Sequence, residues 1–367
     1  MSQNQYMSRA IELAQMASGH TSPNPPVGAV LVKNDQIIGE GYTLPAGQDH
    51  AEIVALKNAG FNAMGSELYV TLEPCDHFGR TPPCTRAIID AGVRKVYIAL
   101  MDPAPHTKGL GIRSLESAGI QVSIYEPTQQ SLQLVEAFAK HITTEFPFVV
   151  AKFAMSLDGK IATKLGESQW ISNEDSRAYA HILRSECDAV IVGIGTVIKD
   201  NPRLTARVKT PLVKQPLRVV LDSAGRFPRS SAMLKEEGET LIVVSNEEAA
   251  SRIKLMGLDV FIAPNSEGAI DISTLLKELG RRGIVSVLIE GGANVLGSVF
   301  EARLVDKVVV FIAPRIIGGL GSPSPVLGDG IDVLANAVNL TDVRVTELNG
   351  DIVVVGYMPG EGLCLLE

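Results

Sequence analysis

The sequence predicts two α/β domains in tandem, and three observations carry that reading. At 367 residues the chain is long for one hydrophobic core. Short apolar runs alternate with segments of helical periodicity, the pattern of sheets flanked by helices. The alternation breaks at Glu145-Phe146-Pro147 and then restarts, which places a boundary there and gives domains 1–145 and 146–367.

In the first domain, Met7, Ala10, Ile11, Ala14 and Met16 fall at helical spacing over residues 6–16, with Gly19 as a stop. After the rigid loop Ser22-Pro23-Asn24-Pro25-Pro26, residues 27–33 read as a buried strand. Asn34-Asp35 is its turn and 36–42 the returning strand. Asp49 is expected to cap a helix over 50–59 that Gly60 ends. Strands over 68–72, 95–100 and 120–124 then alternate with helices over 85–91, 111–118 and 131–144, which makes a three-layer α/β sandwich.

The second domain restarts with a strand over 148–154 and a polar stretch over 156–169. A helix over 173–187 leads into a strand over 188–193. Further strands are expected over 217–221, 240–244, 259–263, 285–289 and 307–313, with helices over 272–279 and 294–301 between them. Residues 343–348 and 351–357 read as a hairpin around Asn349-Gly350, so the sheet is mostly parallel with an antiparallel end.

Composition excludes several classes. The formal net charge of -8 argues against a nucleic-acid surface. Four cysteines in this length are no disulfide framework, so reduced thiols and a cytoplasmic setting are expected. The N-terminus lacks a basic region followed by an apolar run, so no signal peptide is expected, and no apolar run is long enough to span a bilayer.

The chemistry concentrates between Asp49 and Asp90. His50, Cys75 and Cys84 are three ligands of the types zinc prefers, and a catalytic zinc site needs three protein ligands plus an open position. Glu52, in the first helical turn with His50, supplies the base. Cys84 opens a helix, where a thiolate is favoured by the dipole. The order His-x-Glu, Pro-Cys, second Cys resembles the zinc-deaminase signature.

Eight residues separate the cysteines rather than two. That widened gap, with Gly79-Arg80-Thr81-Pro82-Pro83, Ser22-Pro23-Asn24-Pro25 and Leu72-Glu73-Pro74-Cys75, resembles the pyrimidine deaminase domain of the bifunctional riboflavin-biosynthesis deaminase/reductase family. Met155-Ser156-Leu157-Asp158-Gly159-Lys160, Gly193-Ile194-Gly195-Thr196-Val197, Asp200-Asn201-Pro202-Arg203-Leu204-Thr205 and Glu290-Gly291-Gly292 are similar to the reductase domain of that family. The resemblance covers nearly the whole chain.

It implies a cytidine-deaminase-like α/β/α domain with one zinc ion, followed by a dihydrofolate-reductase-like α/β domain that uses NADPH. The implied substrates are phosphorylated pyrimidines: a diaminopyrimidine ribosylamino phosphate is deaminated, and the ribosyl group of the product is then reduced to ribityl. Cofactor contacts implied by position are Ala154, Trp170, Thr196, Asp200, Ser223 and the run Gly292, Ala293, Asn294, Val295, Leu296, Gly297 and Ser298. Substrate contacts implied are Ser168, Arg184, Leu204, Arg207 and Glu290, with Lys152 a candidate proton donor or substrate orienter. The family is usually homo-oligomeric, as a dimer or tetramer.

Taken without the resemblance, Glu290-Gly291-Gly292 reads as a tight strand-to-helix turn, the arginines as surface charges and Trp170 as a core residue. Cys187 and Cys364 read as structural or incidental, and His20, His106, His141 and His181 show no evident partner. Thr43, Val54 and Ala104 depart from the family's His, His and Asn, which bears on substrate affinity more than on hydrolysis. The alternatives are a reductase with the first domain kept as scaffold, a nucleic-acid-editing deaminase, and a structural zinc module with a fourth ligand.

Overall fold

A computed structural model describes residues 3–209, 212 and 214–360. These divide into two compact units that meet in sequence at Glu145 and Phe146.

The first unit is built on a five-stranded sheet of order β2-β1-β3-β4-β5. Its strands are β1 (Gly28–Lys33), β2 (Gln36–Tyr42), β3 (Glu67–Val70), β4 (Lys95–Ile98) and β5 (Gln121–Ile124). β1 pairs antiparallel with β2 and β3, and β3, β4 and β5 run parallel. The β1–β2 turn puts Asn34 and Asp35 at φ 51° and 60°, the left-handed pair that such a two-residue hairpin needs.

Helix α1 (Gln3–Ala17) buries Tyr6, Met7, Ala10, Ile11, Leu13, Ala14 and Ala17, the stripe its periodicity predicts. It packs on β1 at Gly28, where a Cβ would stand 1.9 Å from Ala10 O. Helix α5 (Gln129–Thr144) packs beside it. Helices α2 (Ala51–Ala59), α3 (Cys84–Asp90) and α4 (Leu110–Ser117) form the other layer. α2 lies on β2 through Gly39 and Gly41, which leave room for the Ala55 and Ala51 carbonyls. The unit is the expected three-layer α/β/α sandwich. One detail is corrected: Asp49 does not cap α2. His50 holds the cap position without a side-chain bond, and Asp49 pairs with Lys57 on the helix flank.

The second unit holds a nine-stranded sheet of order β10-β9-β8-β7-β11-β6-β12-β14-β13. The strands are β6 (Phe148–Ser156), β7 (Ala189–Gly193), β8 (Leu217–Leu221), β9 (Thr240–Val244), β10 (Asp259–Ile262), β11 (Ser286–Ile289), β12 (Lys307–Ala313), β13 (Thr341–Leu348) and β14 (Asp351–Tyr357). All pairings are parallel except those of β14 with β12 and β13. The strands inside it are nearly continuous apolar runs, as a sheet covered on both faces requires. Five helices lie between strands: α6 (Glu174–Glu186), α7 (Ile194–Asp200), α8 (Glu247–Lys254), α9 (Ile272–Arg281) and α10 (Ala293–Glu301). The hairpin turn at Asn349-Gly350 is as expected, with φ 50° and 92°. Helices α7 and α8 were not foreseen; α7 is short, and the exposed face of α8 hides its small buried stripe of Ala249, Ala250 and Ile253. The sheet is mostly parallel with an antiparallel end, as the strand pattern implies.

No helix among the described residues is long and apolar enough to cross a membrane.

Candidate functional site

In the first unit, three side chains from separate elements converge. His50 precedes α2, Cys75 follows β3 in a loop, and Cys84 is the first residue of α3. His50 Nδ1 lies 3.6 Å from Cys75 Sγ and 3.3 Å from Cys84 Sγ. The three ligand atoms lie within 4.8 Å of one another. Bonds of about 2.0 Å to nitrogen and 2.3 Å to sulfur at tetrahedral angles put such atoms roughly 3.5 Å apart, so the donor set fits zinc. Thr81 Oγ1 stands 3.4 Å from His50 Nε2, on the side of the ring away from the two sulfurs.

Taken by themselves the thiols share one charge. Cys75 is drawn down to about 4, first by the hydrogen bond from Cys84, against its own burial, and further by His50. Cys84 is pushed up by the same bond and by burial. A dication held by these residues would remove that conflict and stabilise both thiolates. Cys84 N also reaches Cys75 Sγ at 3.4 Å.

Glu52 lies in the first turn of α2 and is 4 % exposed. Burial, then the Cys75 charge, raises its carboxyl to about 7, a value suited to both taking and giving a proton.

The Cys75 loop is held by acidic residues on either side. Glu73 Oε2 accepts from Asp102 N (3.1 Å) and Gly109 N (3.0 Å), and Oε1 from Ile112 N (3.2 Å). Asp76 accepts from Thr85 Oγ1 (2.5 Å) and Ser114 Oγ (2.6 Å), and Thr85 N donates to Cys75 O (3.2 Å). Sequence reasoning did not single out these braces, though two carboxylates flanking a ligand cysteine are a visible signal. The three positions expected to depart from the family pattern are settled locally. Thr43 is buried with its hydroxyl on the Val27 backbone, Val54 packs at β2 beside Gly41, and Ala104 is buried in a turn.

In the second unit, most of the named positions gather at the C-terminal edge of the parallel strands, where such sheets bind ligands. Ala154 is near the end of β6. Thr196 lies in α7, which follows β7, and Asp200 is the last residue of α7. Glu290 and Gly292–Ser298 follow β11, with Gly292 capping α10. Gly291 and Gly292 have φ of 139° and 85°, so glycine is required at both. The two helix starts are adjacent: a Cβ on Gly292 would lie 3.7 Å from Thr196 Oγ1. Backbone amides at the start of α10 are suited to phosphate.

Arg184 and Glu290 are paired with each other through Nε–Oε1 at 2.7 Å and Nη2–Oε2 at 2.5 Å. Their side chains are 15 % and 5 % exposed. The pair corrects the expectation of Arg184 as a surface charge. Burial lowers Lys152, partly offset by the Glu290 charge, and burial together with Arg184 and Arg207 lowers His181 to about 4. His181 does have a partner, since its Nδ1 accepts from Arg207 N at 3.3 Å. Arg184 Nη1 reaches Thr205 O and Arg207 Nη1 reaches Thr205 Oγ1, both at 3.2 Å, and Leu204 takes φ 55° between them. Ser168 Oγ is 3.4 Å from Asp200 Oδ1.

Two positions stand apart. Trp170 is 62 % exposed with Arg177 over its ring, so it is not a core residue. Ser223 follows β8, and its carbonyl takes hydrogen bonds from Ser245 at the end of β9, on the far side of β8 from Glu290. Arg203 is tied to Glu236 at 3.3 Å. Cys187 is a half-buried thiol whose desolvation pushes it up from its ordinary range. His141 Nδ1 is buried with no hydrogen-bond partner. Cys364 lies outside the described residues.

Comparison with known proteins adds the family. Residues 1–100 match the cytidine and deoxycytidylate deaminase zinc-binding region, and residues 147–354 match the RibD C-terminal domain. The riboflavin biosynthesis protein RibD of Aquifex aeolicus is 43 % identical over 95 % of this chain and 96 % of its own length. That of Escherichia coli is 37 % identical over 96 % and 98 %. Among solved structures, RibD of Acinetobacter baumannii superposes with a TM-score of 0.86 at 36 % identity, covering 96 % of this chain and 98 % of that one. A deaminase/reductase from Thermotoga maritima gives 0.85 at 34 % identity over the same shares. Neither a nucleic-acid-editing enzyme nor a scaffold-only first domain is favoured by these matches.

Proposed function

This chain belongs to the RibD family of bifunctional riboflavin-biosynthesis deaminase/reductases, and from that premise we propose how its residues divide the two reactions. Residues 1–145 form the zinc-dependent deaminase and residues 146–367 the NADPH-dependent reductase. The observation that carries the reading is the triangle of His50, Cys75 and Cys84 with buried Glu52 beside it.

His50, Cys75 and Cys84 hold zinc. When bound, the ion supplies Lewis acidity, which lets water act as nucleophile near neutral pH. Glu52 takes the proton from the water that attacks the amine-bearing carbon of a diaminopyrimidine ribosylamino phosphate. It then gives a proton to the departing nitrogen, so the C–N bond breaks with loss of ammonia. A carboxyl near 7 can do both.

The product is the substrate of the second reaction. NADPH, when bound, supplies the hydride that opens the ribosyl group to ribityl. Ala154, Trp170, Thr196, Asp200, Ser223 and the start of α10 hold the cofactor; Ser168, Leu204, Arg207 and the Arg184–Glu290 pair hold the substrate. Lys152, whose ammonium burial shifts downward from its ordinary range, orients the sugar or donates the proton. Cysteines that serve as metal ligands, at Cys75 and Cys84, or stand unbridged, at Cys187, agree with a cytoplasmic enzyme. The edge strand β13, with Val343 and Val345 exposed, supports self-association as a homo-oligomer.

The test is metal removal. Purified chain should carry one zinc ion, and a chelator should stop ammonia release while leaving NADPH oxidation with the deaminated substrate intact. Full ammonia release from metal-free protein would sink the reading.

A further inference from the structure

Residues 314–330, after β12, contain no strand or helix, yet they are fastened along their length. At the start, Leu157 N donates to Arg315 O (2.9 Å). The Asp158 carboxylate accepts from Ile317 N (3.0 Å), Gly318 N (2.7 Å) and Ser156 Oγ (2.6 Å). In the middle, Ile161 N donates to Pro323 O (3.0 Å). At the far end, Leu327 N donates to Ala293 O (3.1 Å) and Asp329 N to Glu301 Oε1 (2.9 Å), so the segment rests on α10. The fit there is close, since a Cβ on Gly297 would lie 1.5 Å from Leu327 O. Arg315 Nη1 also holds Trp170 O at 2.8 Å.

The path of the segment matters. β6 and β12 are parallel, with Ser156 opposite Ala313, and β11 lies on the other side of β6. The segment therefore leaves the C-terminal edge of β12, is pinned to the end of β6, and reaches the helix that follows β11. It links Trp170 with the start of α10, two parts of the cofactor site assigned above. Its own apolar side chains do not hold it down: Ile316 is 69 % and Leu320 105 % exposed. Polar clamps do. Adjacent amides at 317 and 318 make an anion-binding nest, and here an internal carboxylate fills it. The Ser156 hydroxyl, then the Ile317 amide, keep that carboxyl at about 2, so it is charged at any working pH.

We infer that residues 314–330 form a strap bordering the NADPH site, and that Asp158 is the positioning residue that holds the strap in place. The inference rests on the NADPH reading of the second unit. Asp158 touches neither cofactor nor substrate; it acts through the strap.

The consequence is a change in cofactor affinity. If binding needs the docked strap, apparent Kd rises in inverse proportion to the docked fraction. Asp158→Asn keeps one acceptor oxygen but removes the charge. Gly318→Ala strains the nest from the other side, since Gly318 has φ 68° and open space around its α-carbon. On the zinc-loaded full chain, NADPH fluorescence titration should show a rise in Kd of about tenfold for D158N and a smaller rise for G318A. KM for NADPH should rise with it, and kcat should change by less than about twofold. Hydrogen exchange at 314–323 should quicken in both, with ammonia release unchanged as an internal control of folding. Should D158N quicken exchange in the strap yet bind NADPH as wild type does, the strap is no part of the cofactor site and the inference is overturned. If D158N instead loses its second-unit unfolding transition, the decision falls to G318A by the same criterion. A wild-type chain that binds no NADPH would remove the cofactor reading itself, which is a different result.

Discussion

Glu52→Gln is expected to slow ammonia release by on the order of a thousandfold while leaving zinc content unchanged. The substitution keeps the shape of the side chain and leaves all three candidate ligands, His50, Cys75 and Cys84, unchanged. What it removes is the group that takes and returns the proton. Stability should move the other way or not at all. Glu52 is 4 % exposed, and burying a titratable carboxyl costs folding energy that a neutral amide avoids in part. A variant that melts no lower, holds its zinc and has lost turnover is therefore the expected outcome. Zinc analysis, thermal unfolding and an ammonia assay on one preparation would check it.

The second large effect is on stability of the other unit. Glu290→Gln should lower the stability of the reductase unit by about 3–5 kcal/mol, because it leaves a nearly buried guanidinium without its counter-charge. Burial alone would raise the Glu290 carboxyl, but the charges of Arg184 and Lys152 hold it below the ordinary range. Losing that charge exposes Lys152 as well as Arg184 to an uncompensated site. Replacing both partners, as in R184M/E290L, should recover most of the loss, since an apolar pair of similar volume is often as stable as a buried ion pair. The double variant should still lack reductase activity if the pair also contacts substrate. Thermal unfolding of the two singles and the double, read with NADPH oxidation, separates the two roles; full activity in the stable double variant would confine the pair to a structural role.

Much of the fold was legible because its signals are local. The strands at Leu217–Leu221, Thr240–Val244, Lys307–Ala313 and Asp351–Tyr357 have the bounds their apolar runs predict. The zinc triangle was legible because ligand type and order survive in the linear sequence, whatever the loop between Cys75 and Cys84 does. Other features come from distant partners. Asp49 has the chemistry of a cap, but Lys57 claims it. Arg184 and Glu290 were both assigned to substrate, and nothing in sequence says that residues 106 positions apart pair with each other. Trp170 was expected in a core from its type alone, whereas its exposure depends on where the loop after β6 runs. Asp158 stands in a motif that carried the family resemblance without an assigned task; only Ile317 and Gly318, brought up by the β6–β12 register, give it one.

The central claim is that this one chain performs two reactions in a fixed order, and a time course tests it most directly. Zinc-loaded wild-type protein is given the diaminopyrimidine ribosylamino phosphate, first without and then with NADPH. The account predicts ammonia release before NADPH is added, followed on addition by NADPH oxidation up to the amount of ammonia already released. NADPH oxidation with no prior ammonia release, or ammonia release that never supports oxidation, would contradict it.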